Sequence, residues 1–341
     1  MNAGWLSAAA SAPAVLVTVA LAEGSVPREE GAHMLVDATH SHGTVGGGHL
    51  ELRAIEIGRA MLLDGRLRHF ERFALGPSLG QCCGGVVHLA FERADAAQAA
   101  LLLARQREDS WRVVAIDGAA DSAIVDAKGK LLAATCAIAD LHLPVFSHTR
   151  GAHLVQEADG RRWLVDPLLA PRAELLLFGA GHVGAAIVRA LAGLPCHVTW
   201  IDEREDMFPP DVPANVTIEA TDLPEALVAA APPGASYLVM THSHALDQRL
   251  AEAIMARAQV GWFGLIGSQT KRTQFERRLR ARGADPARID AMVCPIGLPG
   301  IAGKEPAVIA IAVCAQLLGV WEAAAAIASG APALKLVASS T

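Results

Sequence analysis

The chain has 341 residues, 52% of them hydrophobic, and its formal net charge is −6 at neutral pH. This apolar content is enough to fill the cores of two ordinary domains, which excludes an intrinsically disordered chain. Basic residues are scattered except in residues 271–282, so the sequence also argues against a nucleic-acid-binding surface.

Apolar and cysteine patterns predict where the chain acts. No apolar run continues without Gly, Pro, His or charge for the length that crosses a bilayer, so we expect no membrane span. The first Lys or Arg is Arg28, so the start of the chain lacks the basic region of a secretory signal. The six cysteines lack the spacing of a disulfide framework or zinc site. We therefore expect a cytoplasmic protein.

The first part of the chain, residues 1–165, mixes short strand-like runs with helical ones, which predicts an α+β domain. We predict strands at residues 14–22, 33–37, 86–91 and 111–116, helices at residues 50–63 and 94–105, and a hairpin turn at residues 128–130. We detect no internal repeat.

The second part, residues 174–341, alternates strands and helices. Residues 166–173 contain Pro167 and Pro171 and are interpreted as a linker, because proline disfavours a helix interior and a central strand. Buried strands are predicted at residues 174–178, 197–201, 216–219, 236–240 and 262–266. This rhythm predicts an α/β chain with a Rossmann-like, doubly wound parallel sheet. A long apolar helix at residues 306–327 is expected to pack on the sheet or at a homodimer contact.

A glycine-rich turn lies directly after the first predicted strand of this second domain. Gly179 is assigned the tight turn, Gly181 the close approach of a phosphate, and Gly184 the close packing of the next helix. His182 lies inside the same motif, and Asp202 ends the next strand, where a carboxylate accepts hydrogen bonds from ribose hydroxyls. The alternative is that the glycines only shape the turn and no dinucleotide binds.

Two adjacent cysteines stand among glycines in the first domain. Cys82 and Cys83 follow Gln81 and precede Gly84 and Gly85. Backbone amides of such a segment can form a concave anion site, and a thiolate is a soft ligand for a metal. The simpler alternative is a buried cysteine pair in a turn, since free cysteine is often a small core residue.

A second candidate anion pocket is formed by Gly47, Gly48 and His49, just before a predicted helix with Glu51 in its first turn. Taken alone, this segment is equally consistent with a flexible turn.

Further polar residues follow strands of the second domain, at the sheet edge where doubly wound folds bind ligands. His242 and His244 are spaced as metal ligands or as helix-capping loop residues. Ser268 is a candidate helix cap, and Lys271 a candidate phosphate ligand.

Together, and in this order, these motifs resemble the XdhC/CoxI family of molybdenum cofactor chaperones. The resemblance runs through nearly the whole chain, at residues 26–28, 43–51, 80–85, 178–184, 241–247, 265–272 and 295–298.

The resemblance implies a carrier rather than an enzyme. Such a protein binds the molybdenum cofactor (molybdopterin), protects it while a cysteine desulfurase supplies sulfur, and delivers it to apo xanthine dehydrogenase. A molybdenum cofactor biosynthesis protein or nucleotidyltransferase is a further implied partner. Either Cys82 or Cys83 is implied to contact the molybdenum, and the ligand of the Rossmann domain, including a nucleotide, stays open.

Two other functions are consistent with single motifs. An NAD(P)-dependent oxidoreductase would use Gly179 to Gly184 and Asp202. A thiol redox sensor would use Cys82 and Cys83, but a disulfide between adjacent cysteines needs a strained ring.

Overall fold

Two antiparallel five-stranded sheets build the first half of the chain. The structure, a computed structural model, describes residues 4–76, 84–135, 146, 150–157 and 160–329. In the first sheet the spatial order is β3-β2-β1-β5-β4, with β1 (Val15–Glu23), β2 (His33–Val36), β3 (Ser41–Gly43), β4 (Arg68–Ala74) and β5 (Val86–Arg93). In the second the order is β8-β7-β6-β10-β9, with β6 (Ser110–Ala115), β7 (Ser122–Asp126), β8 (Leu131–Ala134), β9 (His153–Gln156) and β10 (Arg162–Leu168).

Three helices accompany these sheets: α1 (Gly4–Ser11), α2 (Gly48–Asp64) and α3 (Ala96–Ala104). Helix α2 buries Leu50, Ala54 and Met61 against the valines of β1. Helices α1 and α3 pack in a separate core that contains residues of both sheets, including Leu16 and Ile124. The predicted α+β class of this region is therefore confirmed.

The two sheets share one topology, because each strand of the second takes the place of the strand five earlier in the chain. The Thr44 amide donates to the His33 carbonyl at 3.1 Å, and the Thr135 amide donates to the Ser122 carbonyl at 3.0 Å. Each sheet is also preceded by a helix, α1 or α3. The first half of the chain is thus an internal duplication.

This duplication corrects the expectation of no repeat. The copies share little sequence beyond Leu-Val-Asp-Ala at residues 35–38 and Ile-Val-Asp-Ala at residues 124–127. The same register places Glu92 opposite Leu16 in the first sheet and Asp166 opposite Arg112 in the second. A fold can be repeated without detectable sequence repetition, because different side chains satisfy the same pattern of burial.

Four of the eight residues predicted as a linker lie in strands, three at its start and Ala173 at its end. Asp166, Pro167 and Leu168 belong to β10 and pair with β6. β10 pairs with β9 only as far as Val165. At Pro167 one side of the strand therefore has no neighbour in the described sheet. Proline is tolerated there because no amide hydrogen is needed on that side. The chain divides into compact units between Ala170 and Pro171.

A parallel sheet of order β13-β12-β11-β14-β15 forms the centre of the second unit. Its strands are β11 (Ala173–Phe178), β12 (Cys196–Asp202), β13 (Val216–Ala220), β14 (Ser236–Val239) and β15 (Trp262–Leu265). Its helices are α4 (His182–Ala190), α5 (Pro224–Ala230), α6 (His244–Ala256), α7 (Gln269–Ala281), α8 (Pro286–Asp290) and α9 (Pro306–Ser329). Apolar cores cover both faces of the sheet, as the Rossmann prediction requires.

Helix α9 is the one described helix that is long and apolar enough to cross a membrane. In this fold it packs on the sheet's core through Ala310, Val313 and Leu317, as expected from its sequence. Ile311 is 63% exposed and Ile327 77% exposed. The cytoplasmic location and the homodimer stay predictions.

Candidate functional site

The glycine loop before α2 binds a carboxylate of the protein itself. Gly46, Gly47 and Gly48 all have positive φ, at 132°, 75° and 61°, so other residues would be strained there. The Gly47 amide donates to Glu51 Oε2 at 3.2 Å, and the Thr44 hydroxyl also donates to this carboxylate. The predicted anion pocket therefore already holds an anion, whereas His49 is exposed.

Two glycine-rich segments meet at residues 25–28. A Cβ added at Gly46 would lie 2.4 Å from Pro27 Cγ, and one added at Gly85 would lie 2.6 Å from the Ser25 carbonyl oxygen. The Gly85 amide also donates to this carbonyl at 3.1 Å. Only glycine allows such close approach on both sides, so residues 25–28 are held between the two glycine segments.

Three of the predicted site residues, Gln81, Cys82 and Cys83, lie outside the described residues. The structure describes both flanks of their segment. The Leu75 amide donates to the Gly85 carbonyl at 2.9 Å, and Gly84 is exposed. The ends of the cysteine segment are therefore anchored beside residues 25–28.

A cavity of about 570 Å³ lies in the same unit, between α1, the start of β2, the end of β3 and the end of β10. Its polar lining comes from Arg28, His33, His42 and Thr44, and its aromatic lining from Trp5. This volume is within the range of small-molecule sites in proteins. Residues 25–28 thus connect the glycine segments to a cavity of ligand size.

A buried charge network stands behind this cavity. Asp166 Oδ2 lies 2.9 Å from His33 Nε2 and accepts a hydrogen bond from Arg112 at 2.8 Å, while Arg112 also binds Glu92. Burial would raise the pKa of Asp166, but the charges and hydrogen bonds of His33 and Arg112 lower it below its ordinary value. Asp166 therefore stays an anion inside the fold.

Sequence reasoning missed this network. Asp166 was assigned to the linker, and His33 and Arg112 were assigned only to strands. The available signal was a charged residue inside an otherwise apolar strand, which is unusual unless the charge has a buried partner.

In the Rossmann unit the motif glycines have the predicted geometry. Gly179 has φ +124° and leaves no room for a Cβ beside the Met240 carbonyl, and a Cβ at Gly184 would lie 2.1 Å from the Gly179 carbonyl. Gly181 faces open space, and His182 is exposed at the start of α4.

Asp202, the predicted ribose ligand, is used inside the protein. Its Oδ2 accepts from the Ala180 amide at 2.7 Å, and its Oδ1 accepts from Arg204 Nε at 2.9 Å. Burial would raise the pKa of Asp202, but Arg204 and the Ala180 amide lower it. These contacts disfavour the predicted ribose contact.

The crevice beside Asp202 offers little space. The cavity lined by Gly179, Asp202 and His242 measures only about 10 Å³, close to the space that one water needs. His242 Nε2 lies 3.3 Å from Glu203 Oε1. The engaged Asp202 carboxylate and the small space beside it give the oxidoreductase alternative no support at the expected ribose position.

The other predicted residues of this unit have structural partners. Lys271 Nζ donates to Asp247 Oδ2 at 2.7 Å and to the Ile266 carbonyl at 2.8 Å, and Ser268 caps α7. His244 is an exposed first residue of α6. Among the described residues no group of three possible metal ligands occurs, so the two histidines form no such group there.

A Rossmann unit that follows a duplicated antiparallel β unit defines the class: a two-unit α/β protein with its open cavity in the β unit. Comparison with known families agrees. The family model described as the XdhC Rossmann domain matches residues 175–317, and that of the XdhC and CoxI family matches residues 7–74. Together they cover more than half of the chain, which therefore belongs to the XdhC and CoxI family.

The chain is also similar to individual proteins, among them one of Escherichia coli and one of Bacillus halodurans. The uncharacterized protein YqeB of Escherichia coli (strain K12) is 30% identical over 150 residues, which are 44% of this chain but only 27% of that protein. A solved Bacillus halodurans structure, described as a xanthine dehydrogenase, is 20% identical with a TM-score of 0.69, over 94% of this chain and 95% of that one. At this identity the likeness shows the fold.

Proposed function

We propose that this chain binds the molybdenum cofactor and carries it during maturation of a xanthine dehydrogenase. The observation that supports this proposal is the meeting of three family segments at one corner of the N-terminal unit. Residues 25–28 touch Gly46 on one side and Gly85 on the other, and Arg28 lines the cavity of about 570 Å³. The cysteine segment begins and ends at this corner.

The chemistry of the corner suits this cargo. The cofactor is anionic, with a molybdenum dithiolene and a terminal phosphate. A thiolate from Cys82 or Cys83 is a soft ligand suited to the metal end. Gly85 lies beside Val26, and Arg28 is two residues from Val26, at most about 7 Å along an extended chain, so the described end of the cysteine segment and the cavity are close together.

The proposed role is that of a carrier in the cytoplasm. A cysteine desulfurase would supply sulfur to the bound cofactor, and the apo xanthine dehydrogenase would receive it. A cofactor biosynthesis protein or nucleotidyltransferase would load the carrier. The crowded Rossmann crevice favours a carrier over a dehydrogenase, because it leaves a dinucleotide little room.

Cofactor binding tests the proposal directly. Purified full-length chain is mixed anaerobically with molybdenum cofactor released from a molybdoenzyme and passed over a sizing column, and molybdenum and pterin are measured in the protein peak. We expect close to one cofactor per chain. Cys82→Ser or Cys83→Ser, or the double variant, should lower this content at unchanged circular dichroism.

Cys314→Ser is the control, because it makes the same change in α9 of the Rossmann unit, outside the proposed site. Normal binding by both single variants and the double variant would remove the thiolate from the proposal. A wild-type chain that retains no cofactor would overturn the proposal as a whole.

A further inference from the structure

The duplication gives the N-terminal unit two equivalent cavities. The first is the cavity of about 570 Å³ described above, and the second, of about 400 Å³, lies between α3, β7, β8 and the end of β5. Both cavities are lined by residues at equivalent positions of the two copies. His33, Thr44 and Leu168 line the first cavity, and Ser122, Thr135 and Ala94, in the same order, line the second. Because the two copies share one fold, the side-chain chemistry of one cavity can be compared directly with that of the other.

The two cavities differ in charge. Basic residues line the first cavity, at Arg28, His33 and His42, and no described residue of its lining is acidic. In the second cavity Glu92 and Asp95 stand among the arginines. The described lining of the first cavity therefore lacks the carboxylates that would repel an anionic ligand in the second.

Each base of the first cavity has an acidic partner outside the lining. Asp166 is 2.9 Å from His33. Glu29 is 3.0 Å from Arg28, and Asp37 is 3.6 Å from His42. Only Asp166 is fully buried, and a buried carboxylate bound to one ring nitrogen fixes the orientation of a histidine and leaves its other nitrogen for a ligand.

The fold does not require histidine at position 33. The equivalent position holds Ser122, whose carbonyl accepts the same backbone hydrogen bond as that of His33. His33 is instead stacked on Trp5, with ring centroids 5.1 Å apart, and tied to Asp166. Asp166 is 1% exposed, and its Oδ1 has no hydrogen-bond partner within the described part of the chain. Asp166 holds the His33 ring by Nε2, which leaves Nδ1 for a ligand of the cavity that His33 lines.

We propose that the first cavity is an oxyanion site in which His33, held by Asp166 through Nε2, donates from Nδ1 to the anion. This inference rests on the proposed function in one respect: in the carrier, the anion is the terminal phosphate of the cofactor.

The test uses His33→Ser, which installs the residue of the equivalent position, with Ser122→Ala as the matched control in the second cavity. Affinities of the full-length chain are measured for the intact cofactor and for the cofactor after enzymatic removal of its phosphate. We expect His33→Ser to weaken binding of the intact cofactor by at least about tenfold, the size of a lost charge-assisted hydrogen bond. Binding of the dephosphorylated form should not change, and Ser122→Ala should change neither affinity.

An equal loss for both cofactor forms, or no loss for either, would overturn the phosphate assignment while the carrier function stands. Calorimetric titration with inorganic phosphate separates the two proposals. A wild-type chain that retains no cofactor but binds phosphate, with about tenfold weaker binding in His33→Ser, would overturn the carrier function and support the oxyanion site. Binding of neither compound would overturn both.

Discussion

Both units of this chain place a glycine-rich turn before a helix, and in both an acidic side chain binds an amide of that turn. In the N-terminal unit the Gly47 amide donates to Glu51 at 3.2 Å. In the Rossmann unit the Ala180 amide donates to Asp202 at 2.7 Å. The turns differ in their neighbourhoods, because the N-terminal unit has a cavity of about 570 Å³ and the Rossmann crevice about 10 Å³.

The two units also differ in how many oxygens of a buried aspartate accept hydrogen bonds. Asp247 in the Rossmann unit uses both oxygens, since Oδ1 accepts from Thr241 and Oδ2 from Lys271. Asp166 in the N-terminal unit uses only Oδ2 among the described residues. A glycine motif thus specifies a turn, whereas free volume indicates where a ligand can bind.

The largest effect is expected at Arg112. Arg112→Leu installs the residue of the equivalent position, Leu16, and leaves Glu92 and Asp166 buried without their cation. Loss of one partner from a buried ion pair costs about 3–5 kcal/mol, so the free energy of unfolding in urea should fall by this amount.

The exposed pair of Arg66 and Asp64 gives the control, because Arg66→Leu should change the free energy of unfolding by less than about 1 kcal/mol. Replacement of Arg112, Glu92 and Asp166 together by leucine should recover much of the loss. Equal effects of Arg112→Leu and Arg66→Leu would show that the buried network contributes nothing to stability.

The Rossmann unit could be predicted from sequence because its signals are local. Each parallel strand is an apolar run, and the spacing of Gly179, Gly181 and Gly184 defines a turn within six residues. The structure bears out the fold and the glycine geometry. The motif could not predict that Asp202 pairs with Arg204, since the side chain of Arg204 could equally face solvent.

The site of the N-terminal unit could be predicted only in part. The glycine segments were identified from sequence, but His33 and Asp166 lie 133 positions apart, and only the duplicated fold brings them together. Pro167 also led to the prediction of a linker where the structure has the end of β10. Long-range pairing of charged residues leaves no periodic pattern in a single sequence.

A smaller effect should distinguish two glycines of the Rossmann turn. Gly184→Ala places a Cβ 2.1 Å from the Gly179 carbonyl, and such overpacking costs about 1–3 kcal/mol in the free energy of unfolding. Gly181 has φ −72° and faces open space, so Gly181→Ala should stay within about 1 kcal/mol. Saturable binding of NADH to the wild-type chain would contradict the view that these glycines serve packing alone.

Asp202→Asn should cost about 1–2 kcal/mol, because it removes the charge from the hydrogen bonds of Ala180 and Arg204. The pKa of Asp202 is lowered in the fold, so its contribution is full above the ordinary pKa of an aspartate and is lost as the pH falls below that value. The difference between wild type and variant in urea unfolding should therefore shrink under acid. The neighbouring Glu203→Gln, at an exposed pair, should change the free energy of unfolding much less than Asp202→Asn.

The smallest effect concerns the hairpin turns that the duplication makes equivalent. Asp37 accepts from the amides of Thr39 and His40, and Asp126 accepts from those of Lys128 and Lys130. The His40 and Thr39 amides lower the pKa of Asp37 from 3.8 to about 2, and the Lys130 amide likewise lowers that of Asp126.

Asp37→Asn should therefore cost about 0.5–1 kcal/mol at neutral pH. Because the folded-state pKa is the lower one, this difference should persist down to about pH 4 and disappear as the pH falls towards 2. Urea unfolding at several pH values measures it, and Asp126→Asn should show the same direction. Opposite pH trends in the two variants would mean that the turns are alike in backbone only, and that the duplication does not extend to their electrostatics.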